Sequence, residues 1–170
     1  MPPFALQFDP SEIPGLAARF GDTDDSAPEQ AGRAAAARGH YTRVEFLVVC
    51  AWKSPRSSPR VEANDAAAIE SHTRAALSAP EEAARMEALL QLNGVGVPTA
   101  SCLLYFADPA NYAILDVRAL ESLGVRGRST YPVAFWLEYL YACRELARVH
   151  GVTLRTLDKA LWQHSKERAS

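Results

Sequence analysis

Ala88-Leu-Leu-Gln-Leu-Asn-Gly-Val-Gly-Val-Pro-Thr-Ala-Ser101 is the stretch on which the fold turns. One helix ends at the apolar Leu92, a Gly94-Val95-Gly96 turn follows, and a second helix begins at once. Pro98 falls in the opening turn of that helix, where a missing N–H costs little. The glycines admit unusual dihedrals and leave no side chain in the way. Backbone N–H groups at the start of the second helix then point outward and, with the helix dipole, form an anion site. Val95 is expected to pack back between the two helices. The whole helix–hairpin–helix element is expected over about residues 81–107.

Working outward, helix signals recur on both sides and no apolar alternation is long enough for a sheet. Thr42 followed by Glu45 is a capping box, which makes the apolar run Phe46–Trp52 a buried helix despite its β-rich composition. Before it, Ser11 is expected to cap a short helix through Phe20, after an irregular lead-in over residues 1–10. Asp22–Pro28 reads as a polar break, and Ser26 as the cap of an alanine-rich helix stopping near Gly39. After it, Ser54-Pro-Arg-Ser-Ser-Pro-Arg60 must break the chain into a loop or helix junction. Asn64 or Asp65 opens a helix through Leu77, and Ser78–Glu82 starts the one that runs to Gln91. Downstream, Asp116 opens a short helix stopping at Gly124. Two long helices close the chain, Val133–His150 and Thr153–Lys166, with Gly151 as the C-cap between them. The expected class is all-α, a single helical domain over residues 1–170.

Composition narrows the function classes. The chain has 170 residues, 48% hydrophobic and 22% charged, with a net charge of −2, which excludes a histone-like basic binder; any nucleic-acid contact must come from a local patch. Lysine occurs only at Lys53, Lys159 and Lys166, against many arginines. Arginine suits bidentate phosphate contacts, and GC-rich coding produces the same bias without function. Cys50, Cys102 and Cys143 lie far apart without metal-ligand spacing, and an odd count argues against a disulfide framework. They are expected buried, reduced and inert. His40, His72, His150 and His164 show no ligand spacing either, so no metal and no cofactor is expected. The first residues lack a signal-peptide pattern and nothing approaches the ~20 apolar residues of a membrane span, so a cytoplasmic location and a monomer are the expectations.

Residues 80–101, together with Ile114-Leu-Asp116-Val-Arg118, resemble the helix–hairpin–helix superfamily of DNA glycosylases, of the endonuclease III and alkyladenine-glycosylase type. In that family a catalytic aspartate follows an apolar pair roughly twenty residues after the hairpin; Asp116 stands 20 positions beyond Gly96, directly after Ile114-Leu115. The segment Val44–Trp52 also looks like the family's buried helix, whose end feeds a DNA-intercalating loop. The likeness covers about residues 42 to 124. Where bifunctional members carry a lysine nucleophile, this chain has Pro98, which cannot form a Schiff base. The four-cysteine iron–sulfur cluster of many members is absent, and the stretch between Asn64 and Pro80 is short for the family. The C-terminal stretch Phe135–Lys166 is similar to a group of uncharacterised bacterial proteins, from which no function carries over.

The resemblance implies a monofunctional DNA glycosylase that flips a modified or damaged base and hydrolyses its N-glycosidic bond, leaving an abasic site. A shortened pocket wall would suit enlarged modified bases of phage genomes and hence antiviral defence. Asp116 is the expected catalytic residue, and an aspartate there also suits a helix cap. Asn93, Gly94, Val95, Gly96 and Thr99 are expected on phosphates of double-stranded DNA, a contact without sequence preference. Lys53, Arg56 and Arg60 on the Pro/Ser-rich segment are either phosphate ligands or a solvated charge run. Arg118 either pairs with Asp116, reaches a phosphate, or is a plain surface arginine. Trp52 and Tyr105 are core residues or base-stacking ones. Asp158 and Trp162, one turn apart on the last helix, either line a pocket, with Asp158 as a second acid and Trp52 as a further candidate pocket residue, or sit on a helix that core packing by Leu154, Leu157 and Leu161 explains without function. The rival class is a non-catalytic helix–hairpin–helix DNA-binding or scaffold module in which Asp116 only caps its helix.

Overall fold

The Thr42–Glu45 box forms as its sequence requires: the Thr42 side chain accepts from the Glu45 amide, and the Glu45 carboxylate accepts from the Thr42 amide at 2.9 Å. Ten helices and two short 3₁₀ turns make up the computed structural model, which describes residues 4–21 and 23–170. Among the described residues there is no strand, so the chain is all-helical. The first helices are α1 (Ile13–Arg19), α2 (Ser26–Arg38) and α3 (Arg43–Lys53). A 3₁₀ turn, Pro55–Ser57, leads to α4 (Ser58–Val61) and then α5 (Ala66–Ser78), α6 (Glu82–Leu90) and α7 (Val97–Ala107). The chain closes with α8 (Val117–Ser122), α9 (Val133–His150) and α10 (Leu154–Arg168). No helix among the described residues is long and apolar enough to cross a membrane.

Several boundaries move from their expected places for local reasons. Asp9, not Ser11, caps the first turn: its carboxylate accepts from the Ser11 amide while Glu12 reaches back to the Asp9 amide. Ser26 lies inside α2 and hydrogen-bonds Asp24. The Pro/Ser-rich junction is itself helical, two short turns started by Pro55 and Pro59, because proline is tolerated early in a helix. Asp65 caps α5 by accepting from Ala68, which leaves Asn64 for other work. Met1–Pro3 and Asp22, parts of the expected lead-in and polar break, lie outside the described residues.

The chain divides into two compact units, residues 24–112 and residues 1–23 with 113–170. In the first, α7 is the core helix, with nine buried residues, packed against α2, α3 and α6. Gly32 permits the α2 crossing: a Cβ there would lie 2.0 Å from the Phe106 carbonyl oxygen. Tyr41 is buried, and its hydroxyl donates to the Leu103 carbonyl at 2.6 Å, fixing the entry of α3 against α7. In the second unit α10 packs on α1, α8 and α9. Buried Ser122 donates to the Leu161 carbonyl, Tyr139 donates to the Ile114 carbonyl, and Arg19 pairs with Glu167.

Candidate functional site

The α6–α7 connection is built by its own backbone and clipped from outside. Leu92 and Val95 turn inward and are buried, and the Val95 amide donates to the Leu92 carbonyl. Val95 packs inward as its place between the glycines requires. Gly94 has φ +74°, a conformation L side chains rarely adopt, and a Cβ would meet the Val61 backbone nitrogen at 2.9 Å. The turn therefore lies flush on α4. Gly96 differs: its φ of −99° suits any residue, and a Cβ would meet only Pro98 Cδ, at 3.8 Å. Only Gly94 uses a glycine's dihedral freedom; Gly96 keeps the mouth of α7 clear.

Asn64 is the clip, and the sequence did not mark it as such. Its side-chain amide pairs with the Asn93 backbone in both directions, Oδ1 accepting from the Asn93 amide at 2.8 Å and Nδ2 donating to the Asn93 carbonyl at 2.9 Å. Nδ2 also donates to the Val61 carbonyl. Arg43 on α3 braces the same loop, donating to the carbonyls of Glu62 and Asn64. The available signal was Asn64-Asp65: two adjacent cap-type residues, of which only one can cap a helix.

Lys53, Ser54, Ser57, Arg60, Asn93, Gly94, Val95, Gly96 and Thr99 line one open depression of about 690 Å³. Its charged lining residues are Lys53 and Arg60; no carboxylate belongs to it. Gly96 is the N-cap of α7 and no side chain caps this end, so the Val97 and Thr99 amides precede the helical ladder. Positive end and cations face the same hollow. Five of the expected phosphate contacts in the turn and Lys53 thus share one surface, and Arg60 joins them. Arg56 is exposed on the neighbouring 3₁₀ turn and is not part of the lining. Trp52 is half-buried, its ring edge-on to Phe106 at 5.0 Å, and Tyr105 is buried against the same ring.

Asp116, Arg118, Asp158 and Trp162 belong to the other unit. Asp116 is half-buried and caps α8, its carboxylate accepting from the Ala119 amide at 2.8 Å. Arg118 lies over the Trp162 ring, 5.2 Å from its centroid, and within 3.4 Å of the Ser165 hydroxyl. Asp158 is buried and ion-paired with Arg155. Burial pushes the Tyr139 phenol far up, and Asp158 and Asp116 both add to that shift. No family model, curated protein or solved structure matches this chain.

Proposed function

We propose that this protein binds duplex DNA along its phosphates at the α6–α7 turn and acts from Asp116 as a monofunctional DNA glycosylase. The observation that carries the binding half is the carboxylate-free hollow in which the uncapped start of α7 meets Lys53 and Arg60. Helix N-termini and cationic side chains both favour phosphate, and neither reads sequence. The catalytic half rests on the resemblance around Ile114-Leu115-Asp116. The target nucleotide leaves the stack, since its sugar carbon cannot be reached within it. The Asp116 carboxylate stabilises the positive charge that develops on the sugar as the C1′–N bond breaks, and orients the attacking water. The C1′–N electron pair leaves with the base, the water oxygen bonds to C1′, and the proton that the water gives up balances the one the departing base takes on. With Pro98 in place of a lysine the strand remains intact.

A non-catalytic DNA-binding module is the second reading, favoured by the engagement of the Asp116 carboxylate in capping Ala119. Duplexes bearing varied modified bases, incubated with protein and then treated with alkali, separate the two. Strand breaks only after alkali are expected, with loss on the order of 10²–10³ in rate for Asp116→Asn. Asparagine caps nearly as well as aspartate, so that variant keeps its fold and its DNA affinity. Absence of alkali-labile sites on every duplex leaves the binding module. Equal excision by Asp116→Asn overturns the assignment of this residue.

A further inference from the structure

A second cavity lies where α8 and the loop after it meet the end of α10. It holds about 230 Å³ and is lined by Glu121, Ser122, Arg126, His164, Ser165 and Arg168. Ser122 and Ser165 are buried, and each hydroxyl sets the state of a neighbour. Ser122 gives its only proton to the Leu161 carbonyl at 2.6 Å, so the imidazole must be the donor in the 2.9 Å contact between His164 Nδ1 and that hydroxyl. Neutral His164 therefore carries its hydrogen on Nδ1, and Nε2 is the nitrogen that takes up a proton or accepts a hydrogen bond. Phe8 lies against the same ring, with centroids 4.6 Å apart, and holds its plane. Ser165 donates to Oε2 of Glu121, which engages one oxygen of that carboxylate.

Charge decides what the cavity suits. Arg126 and Arg168 are exposed, and among the described residues neither is paired with a carboxylate. Of the carboxylates around His164, Glu167 is bound by Arg19 and Gln163, Glu12 by the Asp9 amide and Glu121 by Ser165. Two guanidiniums thus line the cavity with one carboxylate, beside an imidazole that adds a third positive charge when protonated. Burial, then Arg168 and Arg126, hold His164 below its usual value, against the opposing pull of Glu12 and Glu167. An anion between the arginines offsets that repulsion and favours the charged ring. A phosphate monoester carries about −1.5 to −2 at neutral pH, and its oxygens match guanidinium forks; a single carboxylate leaves one arginine unmatched. The volume lies below the roughly 300–1,000 Å³ of pockets for drug-sized ligands, which restricts the ligand to a few carbons beyond the phosphate. The second Glu121 oxygen suits a hydroxyl on those carbons.

We propose that this cavity binds a small hydroxylated phosphate monoester, with Arg126 and Arg168 on the phosphate, His164 beside it and Glu121 on the ligand hydroxyl. The site shares no residue with the hollow at the α6–α7 turn and stands whether or not that hollow binds duplex DNA.

The test follows the His164 imidazole resonances of the whole protein by NMR, assigned with His164→Gln, during titration with glycerol phosphate, inorganic phosphate and sulfate in turn. The signal is local, so Lys53→Ala at the other site should leave every titration unchanged. Glycerol phosphate should move the resonances and bind more tightly than inorganic phosphate. Arg126→Ala and Arg168→Ala, both exposed changes that spare the core, should each lose on the order of tenfold in affinity, the scale of one charge-assisted hydrogen bond. Sulfate keeps a constant charge where histidine titrates, so its binding should strengthen as pH falls through the His164 transition, because the bound anion favours the protonated ring. Calorimetry in a Lys53→Ala background should show that pH dependence vanish in His164→Gln while binding persists. Three results overturn the proposal: no movement of the resonances with any of these anions, unchanged affinity in the folded Arg126→Ala/Arg168→Ala double variant, or an unaltered pH dependence in His164→Gln. Equal affinity for glycerol phosphate and inorganic phosphate would make the cavity a site for the free ion and overturn the monoester.

Discussion

Asn64 makes three hydrogen bonds with one side chain, two to the Asn93 backbone and one to Val61, and is itself buried. Removing it leaves the Asn93 amide and carbonyl without their partner, and each such loss costs about 1–3 kcal/mol. Asn64→Ala should therefore lower the thermal midpoint measurably and loosen the turn at once. Asn64→Asp should not rescue it, since a carboxylate facing two carbonyls replaces both donated bonds with repulsion. Thermal unfolding of the two variants checks this; a wild-type midpoint in Asn64→Ala would show the clip to be idle. The two glycines beside it separate folding from binding. Gly94→Ala meets left-handed strain of about 1–2 kcal/mol and the Val61 backbone, so it should destabilise. Gly96→Leu has open space and an ordinary φ, so it should fold normally and lose DNA affinity by covering the start of α7. Electrophoretic or anisotropy titration beside circular dichroism distinguishes them, and undiminished binding by folded Gly96→Leu would remove this end of α7 from the site.

At the scale of elements, the ends of helices are where this sequence spends its polar residues. Thr42, Asp65, Asp116 and Thr153 each accept an amide from the first turn of their helix. The α3 box does more than cap: Glu45 also receives Arg38 from the end of α2, at 2.8 Å, which ties two successive helices together across Gly39. The Arg38 guanidinium holds the Glu45 carboxyl below the usual carboxylate range. A depressed carboxyl pKa contributes stability above the unfolded value, near 4.5, and that contribution fades as pH falls through the folded value. Thr42→Ala should cost about 1 kcal/mol, and Glu45→Gln should keep part of the cap while flattening the acid side of the stability profile. Denaturant unfolding at neutral and at acid pH reads both effects. A wild-type slope in Glu45→Gln below neutral pH would show that the pair contributes nothing across the transition. The same logic explains why the Ser54–Arg60 junction is short-helical: two prolines interrupt the α3 ladder and each is placed to start a new turn.

On the scale of the whole molecule, each unit has its own buried apolar interior, and the thiols lie inside it. Cys50, Cys102 and Cys143 are at most 1% exposed, and burial pushes the thiols of Cys50 and Cys143 up to about 12. A thiol in that state is almost wholly protonated at pH 8 and is not a nucleophile. An aromatic disulfide reagent should thus find no reactive thiol in the native protein at pH 8, and three after denaturation. A fast native phase would mean that one interior opens well below global unfolding. Charge is uneven on this scale too: residues 24–112 carry eight Arg or Lys against eleven Asp or Glu, while residues 1–23 with 113–170 carry ten against nine.

Helix class and most helix ends were determined by the sequence alone, because caps, prolines and glycines act within a few residues of themselves. The Thr42–Glu45 box overrode a β-rich composition, and Gly39, Gly124 and Gly151 marked their stops. The turn at Leu92–Gly96 was legible for the same local reason, down to the inward Val95. Tertiary structure alone decided what the turn rests on. That Gly94 must be glycine because α4 presses against it, that Asn64 clips Asn93 across 29 positions, and that Arg60 rather than Arg56 joins Lys53 in the hollow all depend on contacts between distant segments, which no local period records. Asn64 and Asp65 looked alike as caps, and only the packing of α4 against the turn assigns them different tasks. Likewise the spacing of Arg155, Lys159, Trp162 and Lys166 could be read along α10, but the ring of Phe20 and the guanidinium of Arg118 reach that stripe only when α1 and α8 fold onto it.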